Sequence, residues 1–328
     1  MTTIAITGIG GFIGHRMAER ALAKDWQVRG FDIDPDGVER AKKIGAEATV
    51  GDLGDRDFLQ KVFDGADIVF HTAAIVDESG ARELFEEVNV RGTENICRVA
   101  RDARVQRLVH LSSVMVYGFD YPDDVDESAT LSVQENIYCA TKQKSDLVAQ
   151  EFHDTGNLEV IVIRPGDVYG PGSRPWVLRP LQMMEAGLFN LPDKGRGVIN
   201  HVHVDNLLDA IFLALEKDAG GTVFNITDGL ATPASLFFRH HAGWLGKDKI
   251  STLPTPLLKG FATVAAPLWK LTGNTPPATV DAINFLLRRG RISNARAQRE
   301  LGFTPALCLD EGMSHVAAEL RRQGRLES

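Results

Sequence analysis

Cysteine is scarce in this chain. Three residues in 328, Cys97, Cys139 and Cys308, lie far apart with no metal-ligand spacing. That excludes a disulfide-stapled scaffold and a cysteine-held zinc site, and it suits a reducing compartment. A cytoplasmic protein is the expectation. An excess of basic charge is also missing: 36 Lys and Arg stand against 44 Asp and Glu, a net charge of −8. Nucleic acid is therefore not expected as the main partner. No uninterrupted apolar run reaches the ~18 residues that a spanning helix needs. Residues 1–15 have neither the basic start nor the cleavage pattern of a signal peptide. Internal repeats and low-complexity segments are lacking too. What remains is the composition of a soluble enzyme, in a chain longer than one hydrophobic core usually serves. One large domain with a smaller one appended is the expected organisation.

The N-terminal stretch carries the first motif. Thr2–Thr7 reads as a short buried strand ended by glycine. Thr7-Gly8-Ile9-Gly10-Gly11-Phe12-Ile13-Gly14 follows and opens a helix, with Ile13, Met17 and Ala21 recurring at every fourth position. Strand, glycine turn and helix together are the context of a dinucleotide site, where backbone N–H groups approach a pyrophosphate at a helix N-terminus. Trp26–Ile33 reads as the second strand, with Asp32 eighteen residues after Gly14. A carboxylate there can accept both ribose hydroxyls and repels a 2′-phosphate, by about 4 kcal/mol for charges ~4 Å apart at an effective dielectric of ~20. No Arg or Lys occupies positions 33–35, so NAD is expected over NADP.

The pattern then repeats. Strands are predicted at Ala46–Val50, Asp67–His71, Arg107–Leu111, Glu159–Arg164 and Thr222–Ile226, with a long helix over Gly80–Ala103. Strands alternating with helices predict an α/β, doubly wound parallel sheet. Small residues, Thr72-Ala73-Ala74, end one strand and leave room for a flat cofactor. His71 reads as a packed strand residue. Tyr138-Cys139-Ala140-Thr141-Lys142 carries the second motif, because on a helix the i, i+4 spacing places the phenol and the ammonium on one face. A free tyrosine titrates near ~10, and lowering it by ~3 units takes about 4 kcal/mol. One ammonium in a partly dry site, helped by the positive charge of an oxidised nicotinamide, can supply that.

With the glycine turn, Asp32, Gly51-Asp52-Leu53, Thr72-Ala73-Ala74, Asn89, Ser112-Ser113 and Tyr138…Lys142 in this order, the chain resembles the extended short-chain dehydrogenases/reductases. That superfamily comprises NAD-dependent epimerases and dehydratases and the 3β-hydroxysteroid dehydrogenase-like enzymes, and the resemblance covers nearly the whole chain. It implies a Rossmann-type sheet with a smaller, mostly helical C-terminal substrate domain. Residues 1–175 would form the NAD-binding domain, with 200–227 returning to it, and 176–328 mainly the substrate-binding domain. It implies that Ser113, four residues before Tyr117, hydrogen-bonds the substrate oxygen and that Tyr138 is the general acid/base. Lys142 would lower the Tyr138 pKa and hold the nicotinamide ribose. NAD would rest on Gly8, Gly11, Phe12, Ile13, Gly14, Asp32, Asp52, Leu53, Ala73, Ala74, Asn89, Ser112, Tyr138, Lys142 and Pro165, with no metal. A homodimer is implied through the helices around 81–103 and 140–154. Two chemistries compete: net hydride transfer at a secondary alcohol or ketone, and an epimerase or dehydratase cycle that retains NAD. A non-catalytic dinucleotide sensor is disfavoured by the complete Ser113, Tyr138 and Lys142 set.

Beyond Arg164 the turn-rich run Pro165–Gly172 looks like the crossover into the substrate domain. Helices are predicted over Leu178–Gly187 and from His201 to about Lys217. Asn294 and Gly302 bracket a shorter helix, and Asp310 starts the last. His201 and His203, two apart and without a third ligand, do not read as a metal site. Nucleotide-sugar members of the superfamily generally carry Asn three residues after the arginine that ends the sixth strand, and Arg shortly before the His-Val-Asp segment. Here those positions hold Asp167 and Ile199. The Asp167 carboxylate is expected to face a diphosphate with the wrong sign, which leaves Arg174, Arg179 and Arg196 as cationic substitutes. Asn206, the Phe224–Gly229 ending and the apolar Leu253–Leu271 stretch look more like the 3β-hydroxysteroid dehydrogenase-like branch. A small apolar substrate such as a hydroxysteroid, terpenoid or long-chain β-hydroxy/keto compound is the expectation. Leu253–Leu271 holds three prolines and two lysines. It is expected to wall the substrate pocket, to rest peripherally on a membrane, or to pack as an ordinary helix pair.

Overall fold

The computed structural model describes residues 1–76, 80–131, 135–271 and 279–327, with the side chains of all of these except 265–271. Its first half alternates short buried strands with amphipathic helices: β1 (Thr3–Thr7), α1 (Phe12–Leu22), β2 (Gln27–Asp32), α2 (Pro35–Lys43), β3 (Glu47–Val50), α3 (Arg56–Phe63) and β4 (Ile68–His71). Asp34 and Asp55 start α2 and α3 by accepting first-turn backbone N–H groups, each cap contributing about 1 kcal/mol. The single long helix expected over Gly80–Ala103 is instead α4 (Arg82–Phe85), one π turn (Glu86–Arg91) and α5 (Gly92–Asp102). The π turn carries Asn89, whose side chain reaches across to another segment, and such wide turns recur where a helix must present one residue inward.

β5 (Arg107–Leu111), α6 (Ile137–Glu151) and β6 (Glu159–Pro165) complete the pattern. The chain then leaves through β7 (Asp167–Tyr169), α7 (Arg179–Glu185) and β8 (Val198–Ile199), and returns through β9 (His201–His203), α8 (Val204–Glu216) and β10 (Val223–Ile226). β11 (Thr232–Pro233), α9 (Ala234–Trp244), α10 (Thr255–Leu271), α11 (Val280–Phe285) and α12 (Leu309–Arg322) follow. The helix predicted from His201 begins only at Val204. His201–His203 pairs with β7 as a strand, and the His203 ring then caps α8 by accepting the Asp205 N–H at 3.2 Å.

Among the described residues the main sheet has seven parallel strands in the order β3-β2-β1-β4-β5-β6-β10. The order reverses between β1 and β4, and in such sheets ligands bind outside the carboxyl ends at the reversal. Register keeps that edge level, since Thr7 is opposite both Phe31 and His71, and His71 opposite His110. Apolar side chains cover both faces. One core joins α1, α2 and α8 to the sheet, and the other joins α3, α5 and α6. Val202, Val204, the apolar face of α8 and Phe224 belong to the first of these cores, together with Ala297, Leu301 and Phe303. A third core, built from Tyr169, Val177, Leu181, Phe237, Phe238, Met313 and Val316, holds the C-terminal helices.

Candidate active site

The site begins where β1 ends. Gly8 adopts φ +69°, and a Cβ there would lie 3.0 Å from the Ala73 Cα, so only glycine lets the turn pass beneath the Ala73-Ala74 segment. A Cβ on Gly14 would overlap the Gly8 carbonyl. α2, α3 and α6 have side-chain caps, but α1 starts at Gly11 with none. The N–H groups of Phe12 and Ile13 therefore meet the helix dipole without a side-chain acceptor, which is the donor set a pyrophosphate requires. Asp32 closes the turn: its Oδ2 accepts the Gly10 N–H and its Oδ1 the Asp34 N–H, both at 3.0 Å. A cation does lie nearby, supplied by α2 rather than by positions 33–35. Arg40 donates to the Gly10 carbonyl at 3.1 Å and sits 3.5 Å from the Asp34 carboxylate.

β4 supplies the facing wall. Thr7 Oγ1 accepts the Thr72 and Ala73 N–H groups, so its own proton goes to His71 Nδ1 at 2.8 Å. His71 Nε2 then donates to Thr93 Oγ1 at 3.0 Å, and Thr93 donates to the Asn89 carbonyl. This chain assigns a neutral ring, and burial pushes its pKa down to about 3. His71 is packed, as expected of a strand residue. Asn89, a cofactor contact by the resemblance, is held in place by the chain on both sides. Its amide brackets the Ile75 N–H and carbonyl at 2.8 and 3.1 Å and donates to Thr141 Oγ1, tying the cofactor wall to α6. Asp52 and Leu53 lie at the neighbouring edge, where Asp52 accepts the Gly54 N–H and the Leu53 carbonyl accepts from Asn95.

β5 and α6 bring together Ser113, Tyr138 and Lys142. Ser113 follows β5 with its Oγ accepting the Met115 N–H, and it also hydrogen-bonds the Tyr138 phenol. Asn136 caps α6 by accepting the Cys139 N–H at 3.0 Å, so Tyr138 lies in the first helical turn. The ammonium of Lys142, one turn on, donates to the Leu111 carbonyl at 2.7 Å. Burial pushes Tyr138 up to about 12, with the Ser113 bond opposing, and Lys142 down to about 8, with Asp146 opposing. The ammonium is turned onto a backbone carbonyl, so desolvation dominates at both groups.

Behind this face lies a buried network that the motif reading missed. Asp146 continues the Tyr138–Lys142 row by one more turn. It accepts from Ser112 Oγ at 2.5 Å, from Arg164 Nε at 2.9 Å and Nη2 at 2.8 Å, and from Gln150. Arg164 also donates to Tyr117 Oη, which donates to Asn225. Ser112, expected beside the nicotinamide, thus directs its hydroxyl into this network. The signal was present in the sequence: a charged residue in an otherwise apolar strand must find a partner, and Asp146 is on the inward row of α6.

A second buried pair joins β7 to the segment after α11. Asp167 of β7 does not face an open cleft. Arg288, just after α11, donates to its Oδ2 at 2.7 Å, and the Asn200 N–H donates to the same oxygen at 2.9 Å. The Arg288 guanidinium lies over the Phe285 ring, bonds Tyr121 and approaches Met115 Sδ, two residues past Ser113. Ile199 is fully buried in a two-stranded pairing with β11. Arg196 is exposed and paired with Asp193. Pro165, at the end of β6, pairs with Ile226. His201 is held between Asp228 and Thr232, at 2.9 and 2.8 Å.

The model of the NAD dependent epimerase/dehydratase family matches residues 4–227. A ketoreductase of Stigmatella aurantiaca named for a 3-oxo-4-farnesyl-dihydroquinoline-1-oxide is 27% identical, over 94% of this chain and 93% of its own length. Short-chain dehydrogenase/reductase family 42E member 1 of Xenopus laevis is 30% identical over 92% and 84%. Sterol demethylase protein B of Methylococcus capsulatus is 28% identical over 93% and 94%. Among solved structures, a UDP-glucose 4-epimerase of Thermotoga maritima superposes with a TM-score of 0.80 at 21% identity, covering 98% of this chain and 99% of that one. A UDP-glucuronic acid 4-epimerase of Bacillus cereus, in complex with NAD, gives 0.79 at 18% identity with the same coverage. Those two likenesses carry the fold. The uncapped α1 N-terminus, the glycine turn and Asp32 fit NAD as cofactor, and the chain belongs to the NAD-dependent epimerase/dehydratase family of extended short-chain dehydrogenases/reductases.

Proposed function

We propose that this oxidoreductase transfers a hydride between NAD and a hydrophobic secondary alcohol or ketone, of the hydroxysteroid, terpenoid or long-chain β-hydroxy/keto kind. Ser113 holds the substrate oxygen and Tyr138 exchanges the proton with it. Bound NAD supplies the hydride acceptor or donor. Phe12, Ile13 and their neighbouring glycines would hold its pyrophosphate, Asp32 its adenosine ribose, and Lys142 its nicotinamide ribose. A phenol that burial keeps protonated is a proton donor, and this suits ketone reduction.

The observation that carries the substrate class is the Asp167–Arg288 pair. The buried guanidinium beside Met115 is neutralised by a carboxylate from the chain itself, so it does not stand as a free cation for a diphosphate. The names of the ketoreductase and the sterol protein, which point to a farnesylated ketone and to sterols, support the same direction. The test is a thermal-shift and NADH-turnover panel that sets hydroxysteroids, terpenoid ketones and long-chain 3-oxo compounds against nucleotide diphosphates and their sugars. Micromolar stabilisation by a nucleotide-sugar, with no response to any apolar compound, would replace this reading with the NAD-retaining epimerase. A homodimer belongs to the same proposal. Leu84 and Leu147, at 53% and 46% exposure, lie on the two helical segments expected to meet a second copy. Light scattering that finds a monomer at micromolar concentration removes it.

A further inference from the structure

Three consecutive residues at the end of β5 each reach α6. The Leu111 carbonyl accepts the Lys142 ammonium at 2.7 Å, Ser112 Oγ donates to the Asp146 carboxylate at 2.5 Å, and Ser113 Oγ meets the Tyr138 phenol. Their partners on α6 stand at i, i+4 and i+8, in one row of the helix. Two of these contacts involve Tyr138 and Lys142, which already have roles in the reaction. The third joins Ser112 to Asp146, which the proposed chemistry leaves without a task.

Asp146 is fully buried, and its partner Arg164 is only 3% exposed. Apolar residues of similar volume often replace a buried ion pair with no loss of stability, so packing alone does not account for this one. What the pair adds is direction. Oδ1 of Asp146 accepts from Arg164 Nη2 and Gln150, and Oδ2 from Arg164 Nε and Ser112. All four acceptor sites of the carboxylate are therefore filled, and it has no freedom to swing. β6 holds Ser112 a second time, because the Ile163 carbonyl accepts its N–H at 2.7 Å. The strand end that carries Ser113 is thus fixed to the helix that carries Tyr138.

The same carboxylate bears on the ammonium. The groups facing Lys142 are His71 of β4, His110 of β5 and, on its own helix, Asp146 and the Tyr138 phenol one turn earlier. Burial keeps both rings neutral and the phenol protonated. Among the described residues, Asp146 is the carboxylate that acts on Lys142, and it opposes the downward push of burial.

We propose that Asp146 is a positioning residue of this site, holding Ser112 so that the Ser113 hydroxyl and the Leu111 carbonyl stay in line with Tyr138 and Lys142. Its negative charge also favours the ammonium over the amine. The proposal rests on the roles given above to Ser113, Tyr138 and Lys142. The test follows Lys142 directly, by NMR of purified full-length protein labelled at the lysine ε-carbons, with Lys142→Arg identifying the resonance. No substrate is needed. Asp146→Asn should move the Lys142 titration to lower pH by about one unit or more, and Asp146→Glu should restore it. Ser112→Ala leaves the buried pair intact. It should keep the titration in place and lower kcat for a ketone of the panel above by about tenfold or more, at unchanged KM. If Asp146→Asn does not fold, Asp146→Asn/Arg164→Gln removes both charges and carries the same expectation. A folded variant without the carboxylate in which Lys142 titrates as in wild type overturns the proposal. So does Ser112→Ala with wild-type kcat. Absence of turnover with every ketone of the panel removes the substrate reading alone, and the titration still decides the role of Asp146.

Discussion

The cofactor side of this enzyme and the region around Asp167 are built by different physics. The cofactor side uses backbone: glycines that admit close approach, an uncapped helix start, and a carboxylate accepting N–H groups two and twenty-two residues away. Each requirement is local, so spacing alone reveals it. The region around Asp167 uses charge burial. Asp167 and Arg288 are 121 residues apart in sequence, and each is tolerated in the interior only because the other is there. Backbone sites can be read from a motif. Paired buried charges need the partner to be found.

The comparison breaks hardest at the pair. Arg288→Met leaves Asp167 buried without its counterion and should cost about 3–5 kcal/mol in chemical denaturation, whereas Asp167→Leu/Arg288→Met together should be close to neutral. A single variant as stable as wild type would mean that the pair does not hold this side together.

The next largest effect belongs to chemistry. Tyr138→Phe should lower kcat by at least about two orders of magnitude, or about 3 kcal/mol, while NAD affinity stays nearly unchanged. Lys142→Ala should weaken both. Near-normal turnover in the phenylalanine variant rules out the proton-transfer role.

A pH profile sharpens the contrast between a desolvated cation and a fixed one. Burial pushes Lys142 down to about 8, so ketone reduction that needs the ammonium should fall above about pH 8. The folded protein releases this proton before the unfolded chain does, so burial of Lys142 weighs on stability below about pH 8 and is relieved between there and pH 10.5. Lys142→Arg, if active, should keep its rate flat through this range. A profile that falls identically in both places the titration on another group.

The smallest effect tests the cofactor side. Isothermal titration should show NAD(H) binding at least about tenfold more tightly than NADP(H), and Asp32→Ala should narrow the gap because Arg40 is close enough to meet a 2′-phosphate. Equal affinities in wild type would remove Asp32 as the discriminator.

The sequence by itself determined the seven strands of the main sheet, the glycine turn, Asp32, the inward row of Tyr138 and Lys142, and the family these imply. All of these depend on neighbours a few residues apart, and chain periodicity preserves such relations. Tertiary structure alone decided where the charges went. It turned Ser112 onto Asp146, made Asn89 a tie between Ile75 and Thr141, and brought Arg40 beside the glycine turn. It made His201–His203 a strand and closed Asp167 with Arg288. It also buried Tyr138 and Lys142, which pushes the phenol up and the ammonium down. Desolvation depends on every element packed around a group, and sequence spacing carries no record of that packing.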